Sequence, residues 1–196
     1  SHEIGRWFRE EGTEKITVSS FRMAKYFAED GWKDILVAFP VNILEIETIN
    51  QLAKEIKLSI LVESADVVRF LQEHLKSPVD VYIKVDAGLH RTGVSWDDYK
   101  TFSNILESLG KSELTTFRGF VTHSGHSYRS RSIGEASAVH NESTTRMVSL
   151  KKEFLPQYPD LIISVGDTPG CSMMGDFSMV DEIRPCNYVF YDVTQS

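Results

Sequence analysis

Asp34-Ile35-Leu36-Val37-Ala38-Phe39-Pro40 is the stretch that decides the fold. A strand with one wet face alternates apolar and polar residues. This one runs apolar for five positions and is stopped by proline, the pattern of a parallel strand covered on both faces. Working outward, the same unit recurs. Upstream, Ile4, Trp7 and Phe8 mark a helix ended by Gly12. Lys15-Ile16-Thr17-Val18-Ser19 reads as a strand, and Ser20 caps a helix whose apolar face is Met23, Ala24, Phe27 and Ala28, closed by Gly31. Downstream, residues 42–56 are helical, Leu58-Ser59-Ile60-Leu61-Val62 is a strand, and Ser64 caps a helix carrying Val67, Val68, Phe70 and Leu71. Further strands are expected over 79–85, 117–121, 161–165 and, more weakly, 179–183, with helices over 96–109 and 134–154. Strand–helix alternation implies parallel strands joined by crossover helices, an α/β fold.

About seven strands result, and a helix precedes the first. A closed (β/α)8 TIM barrel needs eight strands and typically about 250 residues. The expectation is therefore a TIM barrel lacking its first strand, with an open doubly wound sheet as the alternative. The GxGxxG turn usual in that alternative is absent. With no repeat, low-complexity segment or linker, residues 1–196 are read as one domain.

Composition narrows the function. The 196 residues are 41% hydrophobic and 25% charged, with a net charge of −7. That is ordinary for a globular protein and excludes collagen, coiled coil and disorder. The acidic balance without a basic block argues against a nucleic-acid surface. No apolar run approaches the roughly 20 residues of a membrane span, and residues 1–6 are no signal peptide. Cys171 and Cys186 form no CxxC pair, so a cytoplasmic protein with free thiols is expected.

Barrel active sites lie in the loops after the strands. Four such loops collect most of the His, Gly and polar residues: 86–93, 122–128, 166–170 and 184–188. Gly166-Asp167-Thr168 offers close backbone approach, a hydroxyl and backbone N–H donors to an anion, or is an ordinary glycine turn. His123 and His126 could ligate a metal, but no acid or cysteine lies close by in sequence. Tyr128 either enters the mouth or packs. Arg91 and Arg184 either steady an anionic oxygen or pair with Asp86 and Glu182. Lys84, inside a strand on the face of Tyr82 and Asp86, needs a partner if buried, and an imine-forming role for it is a minor alternative.

Asp86-Ala87-Gly88-Leu89-His90-Arg91-Thr92-Gly93 resembles the D-x-G-x-x-R-x-G segment of the alanine-racemase-type (fold type III) pyridoxal-phosphate enzymes. Gly125-His126-Ser127-Tyr128, Gly166-Asp167-Thr168-Pro169 and Glu182-Ile183-Arg184-Pro185-Cys186-Asn187-Tyr188 are similar to the D-serine dehydratase and D-threonine aldolase branch. The resemblance spans essentially the whole chain. It implies a barrel followed by a β-rich domain, with pyridoxal 5'-phosphate (PLP) joined to a lysine at the end of the first strand. That lysine would precede Ser1, and the β domain would follow Ser196, so the chain is expected to be a barrel fragment of a longer enzyme.

The resemblance also implies roles. Gly166, Asp167 and Thr168 would hold the phosphate, with Asn187 and Tyr188 joining from the next loop. Arg91 would lie near the phenolic oxygen, His123 beside the ring, and Tyr128 or Arg184 toward the ring nitrogen. One departure is Cys186, where the family has Gly; a Cβ there crowds the phosphate or demands φ < 0. The implied activity is a PLP-dependent lyase on a D-hydroxy amino acid, of dehydratase or aldolase type. A divalent metal, zinc or manganese, would take its ligands from the missing domain, with no metal ligand in this chain. A racemase of the same fold and a non-catalytic PLP-binding barrel are the alternatives. The partners expected are a small D-amino acid and a second copy in a homodimer.

Overall fold

The computed structural model describes residues 1–187 and 189–190. The described residues form seven α-helices and eight strands. The order is α1 (His2–Glu10), β1 (Lys15–Val18), α2 (Phe21–Glu29), β2 (Asp34–Pro40), α3 (Ile46–Glu55), β3 (Lys57–Val62), α4 (Ala65–His74), β4 (Val79–Asp86), β5 (Val94–Ser95), α5 (Tyr99–Leu109), β6 (Thr115–Thr122), α6 (Ile133–Phe154), β7 (Ile162–Val165), α7 (Thr168–Met173) and β8 (Glu182–Ile183). Short 3-10 turns cover Ile43–Glu45 and Gly125–Arg129. The sheet order is β1-β2-β3-β4-β6-β7-β8, with the two-residue β5 paired to β4. The pairings β1–β2, β2–β3, β4–β5, β6–β7 and β7–β8 are parallel.

The expected seven strands are thus found, with corrections at the edges. The strand expected over 179–183 shrinks to Glu182–Ile183, since Phe177 and Val180 close a turn through the Val180 N–H on the Phe177 carbonyl (3.0 Å). The helix expected from residue 96 begins at Tyr99, because Val94 and Ser95 pair with Val85 and Asp86. Ser20 and Ser64 cap α2 and α4 as read, accepting from the backbone N–H of Met23 (3.2 Å) and Val67 (3.3 Å).

The chain forms two compact units. The first is Ser1–Tyr82 with Ser103–Phe117, and the second is Ile83–Phe102 with Arg118–Ser196. The core of the first unit is Ile35, Leu36, Leu58, Ile60 and Leu61 from the sheet, with Ile49, Leu52, Val68 and Leu71 from the helices. In the second unit Phe102, Phe120 and Phe154 pack as an aromatic triplet with ring centroids 5.4–6.2 Å apart. Ile83, Val85, Val121, Ile163 and Val165 fill the sheet beside it. Both faces of β4 are buried from Val79 to Val85, as an apolar parallel strand requires.

Gly119 sets the β6–β7 register, pairing with Ile162. Its φ is +151°, and a Cβ there would run into the Ile162 carbonyl oxygen. Gly119→Ala is therefore expected to cost roughly 2 kcal/mol or more, read as a lowered melting temperature. Gly134→Ala, where the nearest atom to an added Cβ is Ser132 Oγ at 3.9 Å, serves as the neutral control.

Candidate functional site

In the second unit β4, β6, β7 and β8 end in loops whose backbones are laced together. The Ser124 N–H donates to the Gly166 carbonyl (3.3 Å), and the Arg184 N–H donates to the Val165 carbonyl (2.8 Å). The Thr122 hydroxyl donates to the Val85 carbonyl (2.9 Å). Chain approach at Gly166 is close enough that a Cβ would lie 2.5 Å from the Arg184 carbonyl oxygen. Only glycine fits.

His123 follows β6. Its Nδ1 lies 2.8 Å from the Gly166 carbonyl oxygen, which can only accept, so Nδ1 carries the proton and Nε2 does not. Burial pushes the imidazole down to about 4, with Lys84, Arg91 and Arg184 adding to the push against the Gly166 bond. His123 is therefore a neutral ring of fixed tautomer, facing three cations. Lys84 is 3% exposed.

Arg184 follows β8. Its Nε donates to Ser164 Oγ (2.7 Å), and its Nη2 donates to the Ser164 carbonyl (3.1 Å) and to the Thr122 carbonyl. Ser164 Oγ in turn donates to Glu182 (2.5 Å), so hydroxyl and acid form one chain with the guanidinium. Burial works against the Arg184 charge, which Glu182 and Asp167 support.

Thr168, fully buried, is the centre of the third cluster. Its N–H donates to the Tyr128 hydroxyl (3.0 Å), and its own hydroxyl lies 3.1 Å from that phenol. The Thr168 hydroxyl also donates to Asn187 Oδ1 (2.6 Å) and accepts from the Asn187 N–H (3.1 Å). Asp167 caps α7, accepting from the Gly170 N–H (2.6 Å) and the Ser127 hydroxyl (2.7 Å). Burial raises the Tyr128 phenol above its ordinary range, against its bonds to Thr168. Cys186 is exposed, and Asn187 reaches Thr168 beside it.

The structure thus links His123, Tyr128, Gly166, Asp167, Thr168, Arg184 and Asn187 by hydrogen bonds, and Arg91 joins through its charge on His123. Tyr188 lies outside the described residues. Two points depart from the sequence reading. The Gly166–Gly170 stretch is not a pair of glycine turns but the capped start of α7. Asp86 turns its carboxylate to the N–H groups of Gly88 (2.9 Å) and His90 (3.0 Å) and to the His90 ring (3.0 Å). Burial opposes its ionisation, yet those bonds together hold it below the usual carboxylate range. Among the described residues no group of three or more His, Cys, Asp or Glu is placed to hold a metal ion.

Sequence reasoning gave no role to Ser127, Ser164 or Arg146. Arg146 on α6 donates to the Ala87 carbonyl (3.0 Å), pairs with Glu142 (2.5 Å) and lies 5.5 Å from the Trp96 ring centre, bracing the loop that carries Arg91. Its Glu142 partner at i−4 is an ordinary surface pair, so only the tertiary contact reveals it.

A D-serine dehydratase of Dictyostelium discoideum is 29% identical over 98% of the chain and 54% of its own length. The structure of D-threo-3-hydroxyaspartate dehydratase from Delftia sp. HT23 superposes with a TM-score of 0.90 at 26% identity, over 99% of this chain and 52% of that one. D-threonine aldolase from Filomicrobium marinum shares the fold, with a TM-score of 0.85 at 18% identity over 99% and 53% of the two chains. The chain spans about half the length of these relatives. Its fold is accordingly the α/β barrel class expected from the sequence. The alanine racemase N-terminal domain model matches residues 1–192, and the chain belongs to that family.

Proposed function

We propose that the full-length protein is a PLP-dependent lyase acting on a small D-hydroxy amino acid, and that the strand ends of the second unit hold the cofactor. The observation that carries this is the neutral His123 ring, locked on the Gly166 carbonyl and facing Lys84, Arg91 and Arg184. PLP is anionic at its phosphate and phenolic oxygen and flat between them, and this donor set suits it: cations, hydroxyls and one uncharged ring. Gly166, Asp167, Thr168, Asn187 and Tyr188 are assigned to the phosphate, Arg91 to the phenolic oxygen, and His123 to the ring. Tyr128 and Arg184 are the candidates for the ring-nitrogen side. When bound, PLP supplies an electron sink for negative charge at the substrate Cα.

The chain's own residues contribute order and electrostatics. His123 adds a ring face without adding a fourth positive charge. Arg184 fixes the spacing of the strand ends through the Thr122 and Ser164 carbonyls. Thr168, Tyr128 and Asn187 present preorganised hydroxyl and amide groups. A divalent metal, zinc or manganese, belongs to the same proposal, with its ligands outside the described residues. So does a homodimer, which light scattering on the full-length protein would show at twice the monomer mass.

Two measurements test this reading. The full-length protein, purified and supplied with PLP, is expected to release ammonia and a keto acid from D-serine or D-threo-3-hydroxyaspartate. A chelator should abolish the activity, and zinc or manganese should restore it. Racemisation without keto acid would replace the lyase with a racemase. The second measurement concerns His123. The unfolded ring protonates near 6.5 and the folded ring near 4, so the unfolded chain binds the extra proton between those values. Stability contributed by neutral His123 is complete above about 6.5 and is lost as pH falls toward 4. Nitrogen NMR should show an Nδ1-protonated, neutral ring down to about pH 5, and His123→Gln should flatten the acid limb of the melting curve. A ring titrating near 6.5 overturns the assignment.

A further inference from the structure

Resting on the phosphate assignment above, we infer that Ser127 is a positioning residue for the phosphate end of the site, acting through the Asp167 carboxylate. Ser127 is 1% exposed and sits inside the turn Gly125–Arg129. That turn is fixed by its own backbone, since the Ser127 N–H donates to the Ser124 carbonyl (2.9 Å) and the Ser130 N–H donates to the Ser127 carbonyl (3.0 Å). From this anchored position the Ser127 hydroxyl donates to Asp167 Oδ1 (2.7 Å). The same oxygen accepts the Gly170 N–H (2.6 Å), the bond that caps α7. The next residue, Tyr128, meets Thr168 twice, at its N–H (3.0 Å) and its hydroxyl (3.1 Å). Two consecutive residues of the turn are thus stitched to the cap and the first residue of α7, 127 to 167 and 128 to 168.

The arrangement has an electrostatic purpose. Asp167 is 3% exposed and immediately precedes Thr168, so a carboxylate is buried beside the place assigned to a phosphate dianion. Like charges this close repel unless each is held on its own donors. Two donors on Oδ1 hold the Asp167 carboxylate on the Ser127 and Gly170 side. Without the Ser127 hydroxyl the buried carboxylate keeps only the helix N–H on that oxygen. A buried carboxylate that loses a donor must turn to find another. That movement disturbs the first turn of α7, where Thr168 sits. Ser127 therefore sets affinity for the phosphate group rather than for the rest of the cofactor.

The test uses the full-length protein, freed of cofactor, titrated with PLP and separately with pyridoxal. The two share ring and aldehyde and differ by the phosphate. Wild type is expected to prefer PLP strongly. Ser127→Ala should weaken PLP about tenfold and leave pyridoxal within a factor of two, a size in keeping with one hydrogen bond to a charged group. Ser127→Cys keeps the volume and offers a weaker donor, so it should fall between and covers the case in which the alanine variant does not fold. Equal weakening of both ligands, or an unchanged PLP preference, in either variant overturns the inference and leaves Ser127 a packing residue. A wild-type protein that binds the two ligands equally overturns the phosphate assignment itself, and the inference with it.

Discussion

A guanidinium taken out of water must find acceptors, and Arg184 finds them on the ends of two strands. Its bonds to the carbonyls of Thr122 and Ser164 and to the Ser164 hydroxyl tie the termini of β6 and β7 to the loop after β8. Much else in the second unit follows. With Arg184 in place its own backbone presses on residue 166, which must be glycine. The Gly166 carbonyl is then free to face His123 and dictate its tautomer. The chain after Gly166 turns directly into α7, capped by Asp167. Burying such a group is costly unless its donors are used, and here the receiving acceptors are two backbone carbonyls and a serine hydroxyl, which carry no charge to lose at any pH.

The protein carries net charge −7, yet the charges acting on His123 are positive. The acids nearby are turned onto local donors. Asp86 faces backbone N–H groups and the His90 ring, Asp167 faces a hydroxyl and a helix N–H, and Glu182 accepts from Ser164. Local potential is therefore decoupled from net charge, the condition for holding an anion on an acidic protein.

The sequence showed most of the frame. The apolar run from Ile35 to Phe39, the serine caps at 20 and 64, and the clustering of polar residues after the strands follow from patterning alone. The edges did not follow. β8 has two residues, too short for any period to show. α7 was hidden because Gly166 and Gly170 read as turns, although Asp167 with Pro169 two residues on is a helix-start signature. Of the site residues drawn from the family motif, His123, Tyr128, Gly166, Asp167, Thr168, Arg184 and Asn187 meet through hydrogen bonds, whereas the contacts that give Ser127, Ser164 and Arg146 their place span 18 to 59 residues of chain. Nothing in spacing could announce them.

The chain passes between its two units three times, within β4, α5 and β6. Neither unit is a continuous piece of gene. Synthesis runs from the N- to the C-terminal side, so most of the first unit is made without residues 103–117, and β4 and the start of α5 emerge before that segment arrives. Every residue assigned to the cofactor except Arg91 is made later still, after β6 has begun. During synthesis the residues assigned to the cofactor are consequently among the last of this chain to exist, and a polypeptide that stops before β7 carries buried-strand sequence and none of the residues assigned above to the phosphate.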